Sequence, residues 1–442
     1  MTNSTNDLIL PAIGKRDVIL RFDGGDITSD AGLALLAAAD TKLGVTAVLT
    51  QAFHDRRQAG KVAHKSAEII AARVYGIAMG YEDGNDFDRW RHDPGLKHVC
   101  GRLPASGEPL MSQETLSRFE HAPNAKDLVR MGWALAELVI GQLDQKAGRI
   151  WIDVDPYDDP CHGQQELSLF NGHYDTRCYL PLALCITGDD GVQHLLGAVL
   201  RAGNAAAAKG LRSVLRGLVR RLRQQCPLAE LILRADSAFG NASVLSWCAK
   251  LKIKYVLGLS RNNVLQGASI PVQMDTALKY GWEGDGCREF GEFFYEAKTW
   301  PKKERVIIKA AITQDTLNPR YVVTDLLAET PEQIYALYCE RGDRENRWKE
   351  FKLDLAAGRT SCTTFFANQT RLMWHLAAAV LCTAIRAAAA GTVWSSAQAC
   401  TLRTRLFKIG AKIVESCRKI WWSLPTSCPV QSDWRKIYAR LC

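Results

Sequence analysis

A chain of 442 residues, 47% hydrophobic and 23% charged, has enough apolar surface for two or three domains with large cores, which excludes a disordered polymer. Its net charge of +9 is modest but uneven: residues 401–442 carry nine Lys or Arg against two acids, interleaved with Trp421, Trp422, Trp434 and Tyr438. The fourteen cysteines form no C-x-x-C pair and many lie in apolar runs, as buried hydrophobes of a reducing compartment do, which argues against a zinc site.

The start, MTNSTNDLILP, lacks the basic-then-apolar pattern of a signal peptide, and no apolar run reaches the roughly 18 residues of a membrane span. The expectation is a soluble, cytoplasmic protein with no membrane partner. Residues 1–147 read as a mainly helical domain after a short strand near 18–22. In SDAGLALLAAADTKLG, Ser29 is placed to cap a helix and Gly44 to stop it; helical periods recur at 65–79 and 126–145. Between them, MSQETLSRFEH reads as a short helix capped by Ser112 and presenting Gln113, Thr115 and Arg118, an arrangement similar to a DNA-reading helix. An ordinary capped helix is the competing reading. The acidic run YEDGNDFD reads as a turn and cap rather than a cation site.

From Gly148 the period changes. RIWIDVD alternates, two strand-like runs follow (RCYLPLALCIT and VQHLLGAVLRA), and residues 205–226 form an Ala-, Leu- and Arg-rich helix. ELILRADSAF returns to a strand, SVLSWCAKL is helical, and KYVLGLS is a fifth strand. Three strands, helix, strand, helix, strand is the order of a ribonuclease H-like α/β fold. Residues 264–327 read as a β-rich insertion. Thr330, Pro331 and Gln333 then open a helix with a capping box. A second helix is expected over 368–389, and a basic, aromatic helical tail over 391–442, suited to a polyanion with stackable bases. The catalytic core is thus expected over 148–263 and 328–390.

The helix after Thr330 carries YCERGDRENRWKEFK, in which Tyr338, Arg341, Glu345 and Lys352 are spaced by three, four and seven. At about 100° per residue they fall within roughly 60° of one helix face. One carboxylate among three phosphate-binding groups suits a DNA-cutting surface. Two-metal phosphodiester cleavage needs converging acids, and Mg2+ is satisfied by two or three of them. Asp155 ends the first strand, Asp236 ends the fourth, and Glu345 lies on the later helix. Asp153 shares the strand face of Asp155, two residues deeper, and competes with it.

Taken together, ITSDAGLALL, GYEDGNDFDRWRHDP, SQETLSRFE, DDPCHGQQE, RADSAF, ERGDRENRWKEFKLDL and FFANQTRLMWHLAAAVL resemble, over nearly the full length, bacterial insertion-sequence transposases of the DDE type. The branch is the one marked by Tyr-x2-Arg-x3-Glu-x6-Lys. The resemblance implies a ribonuclease H-like core and hydrolysis at the element's terminal inverted repeats with two Mg2+ ions, for which Mn2+ substitutes. The freed 3′-hydroxyl then attacks target DNA. It implies Asp155, Asp236 and Glu345 as the metal-binding triad, with Tyr338, Arg341 and Lys352 on phosphates. Relatives excise through a hairpin with a flipped base on an aromatic residue of the insertion; Tyr321 is favoured over Trp300 and Trp282. Joining two ends implies at least a homodimer at work. Two positions depart from the pattern: Tyr157 stands where a small residue is usual, and Ala238 where Gly is usual, which would strain a positive φ. A binding-only copy that has lost cutting and a nuclease that cuts without joining are the alternatives.

Overall fold

The computed structural model describes residues 8–284, 286–314 and 316–442, apart from the side chains of Glu283 and residues 343–346. The chain divides into two units: one holds the N-terminal stretch to Thr50, residues 55–119 and 381–442, the other residues 51–54 and 120–380.

The second unit is built on one mixed sheet. Its strands are β1 (Arg149–Pro156), β2 (Leu182–Thr187), β3 (Gln193–Val199), β4 (Glu230–Ala235), β5 (Lys254–Leu259), β6 (Arg288–Tyr295), β7 (Glu304–Thr313) and β8 (Arg320–Thr324). They lie side by side in the order β6-β7-β8-β5-β4-β1-β2-β3. β4 runs parallel to both β1 and β5, and the other neighbours are antiparallel. The crossovers are α1 (Leu211–Gln225) and α2 (Ala242–Leu251). In α1, Leu211, Leu215, Leu218, Val219 and Leu222 form the buried stripe, and Arg212, Arg216 and Arg220 face outward.

Three details differ from the sequence expectation. β1 is buried on both faces, so the alternation in RIWIDVD does not mark a solvent side. RCYLPLALCIT breaks at Pro181 into Thr176–Tyr179 and β2, since proline has no N–H for a ladder. Thr176–Tyr179 pairs instead with Asp159–Pro160 and Leu169–Asn171 in a separate small sheet. The insertion opens with two helices, Asn263–Ala268 and Ile270–Glu283, and its strands β6, β7 and β8 widen the main sheet.

Register explains the core. Trp151 pairs with Ile232 and Val322 with Ile307, and together with Val256 they form one cluster across five strands with Ile334 and Leu326. Ile334 belongs to α3 (Pro331–Cys339), which starts with the expected capping box of Thr330 and Gln333. The signature segment is not one regular helix. α3 gives way at Glu340 to α4 (Arg341–Lys349), and Glu350–Asp354 is a π-turn. A wider turn changes the phase at which Lys352 leaves the axis.

In the first unit the helix Leu33–Leu43 starts beyond Ser29 and has no side-chain cap, while Gly44 closes it at φ 77°. Asp30 is instead a buried acceptor, bonded by Trp90 Nε1 at 3.0 Å, Tyr81 Oη at 2.8 Å and Lys408 Nζ at 2.7 Å. The motifs around residues 30, 81 and 90 are therefore joined by one carboxylate. Asp83 and Asp86 form a capping box, so YEDGNDFD is a turn and cap. The expected helical tail is corrected: Ala411–Glu415 pairs with Ile420–Ser423 and with Ile27–Thr28, and only Gln431–Leu441 is a long helix. Its alternating AKIVE and IWWS runs favour strands. Trp422 and Trp434 are partly buried against Ala31, Ile409 and Ala411, whereas Trp421 and Tyr438 are exposed. Among the described residues no single helix is long and apolar enough to cross a membrane.

Candidate active site

The last register pair of the parallel strands β1 and β4 is Val154 with Ala235. One residue further, Asp155 and Asp236 stand side by side on neighbouring strands, about 4.8 Å apart in backbone spacing and on the same face. That face is the one packed under α3, because Trp151 and Ile232, each four residues back, belong to the cluster beneath Ile334. Asp155 is about a quarter exposed (24%), and Asp236 is half-buried.

The signature segment reaches the same strand ends. Arg341 Nη1 donates to Asp155 Oδ2 at 3.2 Å. Tyr338 lies across β5 at Gly258, where an added Cβ would meet its hydroxyl at 2.7 Å and the Ser237 amide nitrogen at 2.8 Å. Burial raises the Tyr338 phenol pKa, Arg341 lowers it and Asp236 raises it further, so the ring stands between those charges. Lys352 Nζ donates to Asp158 Oδ1 at 2.7 Å, just beyond β1. Glu345 lies in α4, one turn past Arg341, and its side chain is outside the described residues. Among the described residues no three His, Cys, Asp or Glu side chains converge as a metal cluster. The two adjacent carboxylates still form a hard-oxygen donor pair, and the Arg341 guanidinium shows that Asp155 accepts a cation there.

Asp153 has a different partner. It is 2% exposed and meets Arg234 Nε at 2.6 Å, while Arg234 also donates to the Leu337 carbonyl and stacks over Trp151 at 4.4 Å. Burial pushes the Asp153 pKa up to about 6 against the downward pull of Arg234 and Arg341. This pair ties β1 and β4 to α3 and leaves Asp155 as the acid at the strand end.

Several neighbours were not legible in advance. Tyr174 lies in the turn between Leu169–Asn171 and Thr176–Tyr179; burial raises its pKa first, and then the charges of Asp155, Asp158 and Asp236. Asp159 is fully buried, accepts from Thr360 Oγ1 at 2.7 Å and has its other oxygen unpartnered. Burial lifts its pKa to about 7. The Tyr157 hydroxyl is also buried without a partner, and its pKa is raised by burial and by Asp159 and Asp158. Only the DD pair of DDPCHGQQE signalled this cluster. The anticipated strain at Ala238 is absent: its φ is not positive, and its N–H donates to Asp236 Oδ1 at 2.9 Å.

The remaining candidates stand apart from the acids or are packed. Tyr321 is 3% exposed, shares its hydroxyl with Ser269 Oγ at 2.9 Å and lines a cleft beside Tyr335 and Tyr338. Trp300 is buried edge-on to Tyr295, whereas Trp282 is 90% exposed. In the first unit the helix Gln113–Glu120 carries Arg118 exposed and Gln113 half-buried against Gly84, with Ser112 Oγ accepting from the Thr115 amide at 3.4 Å.

A family model described as transposase DDE domain, group 1, matches residues 10–442. No curated protein matches the chain.

Proposed function

Since the chain belongs to the transposase DDE domain group 1 family, we propose that it binds the terminal inverted repeats of an insertion sequence, hydrolyses DNA at the element ends and joins the 3′-hydroxyls to target DNA. The observation that carries this reading is that Asp155 and Asp236 each follow the last register pair, Val154 with Ala235, of two parallel strands, with Arg341 on Asp155. The strand order β3-β2-β1-β4-β5, with β2 antiparallel, supports a ribonuclease H-like core for the second unit.

Asp155 and Asp236, joined by Glu345, would hold two Mg2+ ions, with Mn2+ as a substitute. Bound there, the cations supply a low-pKa water and charge for the leaving oxygen. The residues themselves position the DNA. Arg341 and Lys352 exchange their carboxylate partners for phosphate oxygens, and the Tyr338 hydroxyl fixes the strand over Gly258. Gln113 and Arg118 would read the repeats, and a homodimer would hold two ends together near the chromosome in the cytoplasm. Tyr321, which lines the cleft beside Tyr338, and the exposed Trp282 are the aromatic residues of the insertion that would meet an unpaired base.

The test is cleavage of end-labelled duplexes carrying the flanking repeats with Mg2+, comparing wild type with Glu345→Ala. Cuts at the repeat boundary that vanish in the variant support the reading. Specific binding without cutting by either protein makes the chain a binding-only copy, and cutting without joining makes it a nuclease.

A further inference from the structure

The sheet edge that ends in Asp155 and Asp236 continues, on the same face, into a cluster of cations. β8 runs antiparallel to β5, with Tyr321 opposite Leu259, so Arg320 begins β8 at the edge where β1, β4 and β5 finish. Lys309 of β7 is the register partner of Arg320, and both lie one step beyond the Ile307–Val322 pair that faces α3. Arg261 follows β5 and is fixed by its Nε on the Pro319 carbonyl at 3.1 Å and by the Asn318 side chain. Among the described residues none of these three meets a carboxylate, whereas Arg341 and Lys352 do. Unpaired cations held together on one face repel, so an anionic occupant relieves them.

Arg320 and Arg261 line a cleft of about 770 Å3 together with Ser237, Tyr321, Tyr335 and Tyr338, and Lys309 stands beside it as the register partner of Arg320. That is room for a nucleotide. Lys309 Nζ lies 5.3 Å from the Tyr335 ring centre, and Arg320 pulls the Tyr335 pKa down against burial. An aromatic wall beside cations is the chemistry that holds a base and its phosphate. Ser237 follows Asp236 directly, so the cleft is continuous with the acids; Arg320 is two strand spacings from Asp236, roughly 10 Å.

We propose that this cleft is a DNA-strand subsite in which Arg320, Lys309 and Arg261 hold backbone phosphates next to the one being cut, with Tyr335 against a base. The proposal rests on the function given above. A strand is favoured over a free nucleotide because the basic row extends past one phosphate and runs into Asp236.

The test is fluorescence anisotropy of the whole protein with a labelled repeat duplex bearing an unpaired 3′ tail, without divalent metal so that nothing is cut. In Lys309→Gln/Arg320→Ala, affinity should fall about tenfold or more, and the slope of log K against log salt should drop by about 0.7–0.9 per lost contact. The control Arg216→Ala/Arg220→Ala removes equal charge from the exposed side of α1 and should leave both values near wild type. Tyr335→Leu should weaken the tailed duplex more than the blunt one. Unchanged affinity and slope in a folded Lys309/Arg320 variant, or an equal loss in the control, overturns the subsite. Displacement of the tail by deoxynucleoside monophosphate, with no preference for longer strands, makes it a mononucleotide site and overturns the strand assignment. A wild type that does not bind repeat duplexes here and does not cut them in the Mg2+ cleavage assay overturns the function as well; one that cuts in that assay while the variant binds like wild type overturns the subsite alone.

Discussion

Arg341 and Asp155 lie on elements 186 residues apart, and the guanidinium donates to the carboxylate at 3.2 Å. Both side chains are about a fifth exposed, 21% and 24%, so solvent screens the pair and its contribution to stability is small, about 0–1 kcal/mol. Its weight falls on the chemistry. Arg341→Ala should leave the melting temperature near wild type, lower the cutting rate roughly tenfold to a hundredfold, and lower the Mg2+ concentration for half-maximal rate, because Asp155 loses a competing cation. A rate against Mg2+ titration checks all three. Arg341→Lys should recover only part of the rate, since an ammonium lacks the planar fork.

Asp153 and Asp155 should separate cleanly by assay. Arg234 is fully buried and neutralises Asp153, so Arg234→Met takes the close guanidinium from a buried carboxylate and should cost roughly 3–5 kcal/mol. Asp153→Leu/Arg234→Met should be markedly more stable than Arg234→Met alone. Asp155→Asn should instead keep its melting temperature and lose cutting by about a thousandfold, or about 4 kcal/mol of barrier. Thermal melts and cleavage rates on the same proteins decide the assignment.

Gly258 is the point where α3 comes closest to β5. Any Cβ there meets the Tyr338 hydroxyl at 2.7 Å and the Ser237 backbone nitrogen at 2.8 Å. Gly258→Ala should cost about 1–3 kcal/mol from overpacking and slow cutting through displaced Tyr338 and Asp236. Tyr338→Phe in that background should recover some stability by removing the hydroxyl, and only some, because the backbone contact with Ser237 remains. Urea melts of the single and double variants measure the recovery.

What the sequence disclosed follows from how local each signal was. Strand and helix order from Arg149 to Leu259, the capping box at Thr330, and the acids at the ends of β1 and β4 depend on periodicity and end chemistry, which short windows carry. The Arg234–Asp153 pair, the Asp30 hub and the Lys309–Arg320 row needed register between distant strands or loops, which no window carries. The aromatic tail divides in a way its sequence does not mark: Trp422 and Trp434 lean on apolar neighbours, while Trp421 and Tyr438 stay exposed. Tyr321 shows the same limit: an alternating strand does not say how deeply its aromatic residue is covered.

Asp159 should make stability depend on pH. Its carboxyl is buried beside Thr360, with Lys352 and Arg371 lowering its pKa and Asp158 raising it, and burial prevails to hold the value at about 7 against an ordinary 3.8. Between those values the folded state keeps a proton that the unfolded chain has released. Stability therefore falls as pH rises from about 4 to about 7, by at most roughly 1.4 kcal/mol per pH unit for this group, and levels off above. Asp153, raised to about 6 by burial, adds a share in the lower part of the window. Asp159→Asn keeps an oxygen to accept from Thr360 but cannot ionise, so its denaturation curves at pH 5 and pH 8 should lie closer together than those of wild type. Asp86, Asp93 and Asp325, also raised by burial, leave a residual slope, and the share of Asp153 should disappear in Asp153→Leu/Arg234→Met. A wild type whose stability rises over this interval would mean that Asp159 is ionised in the fold and paired with Lys352 in place of Asp158.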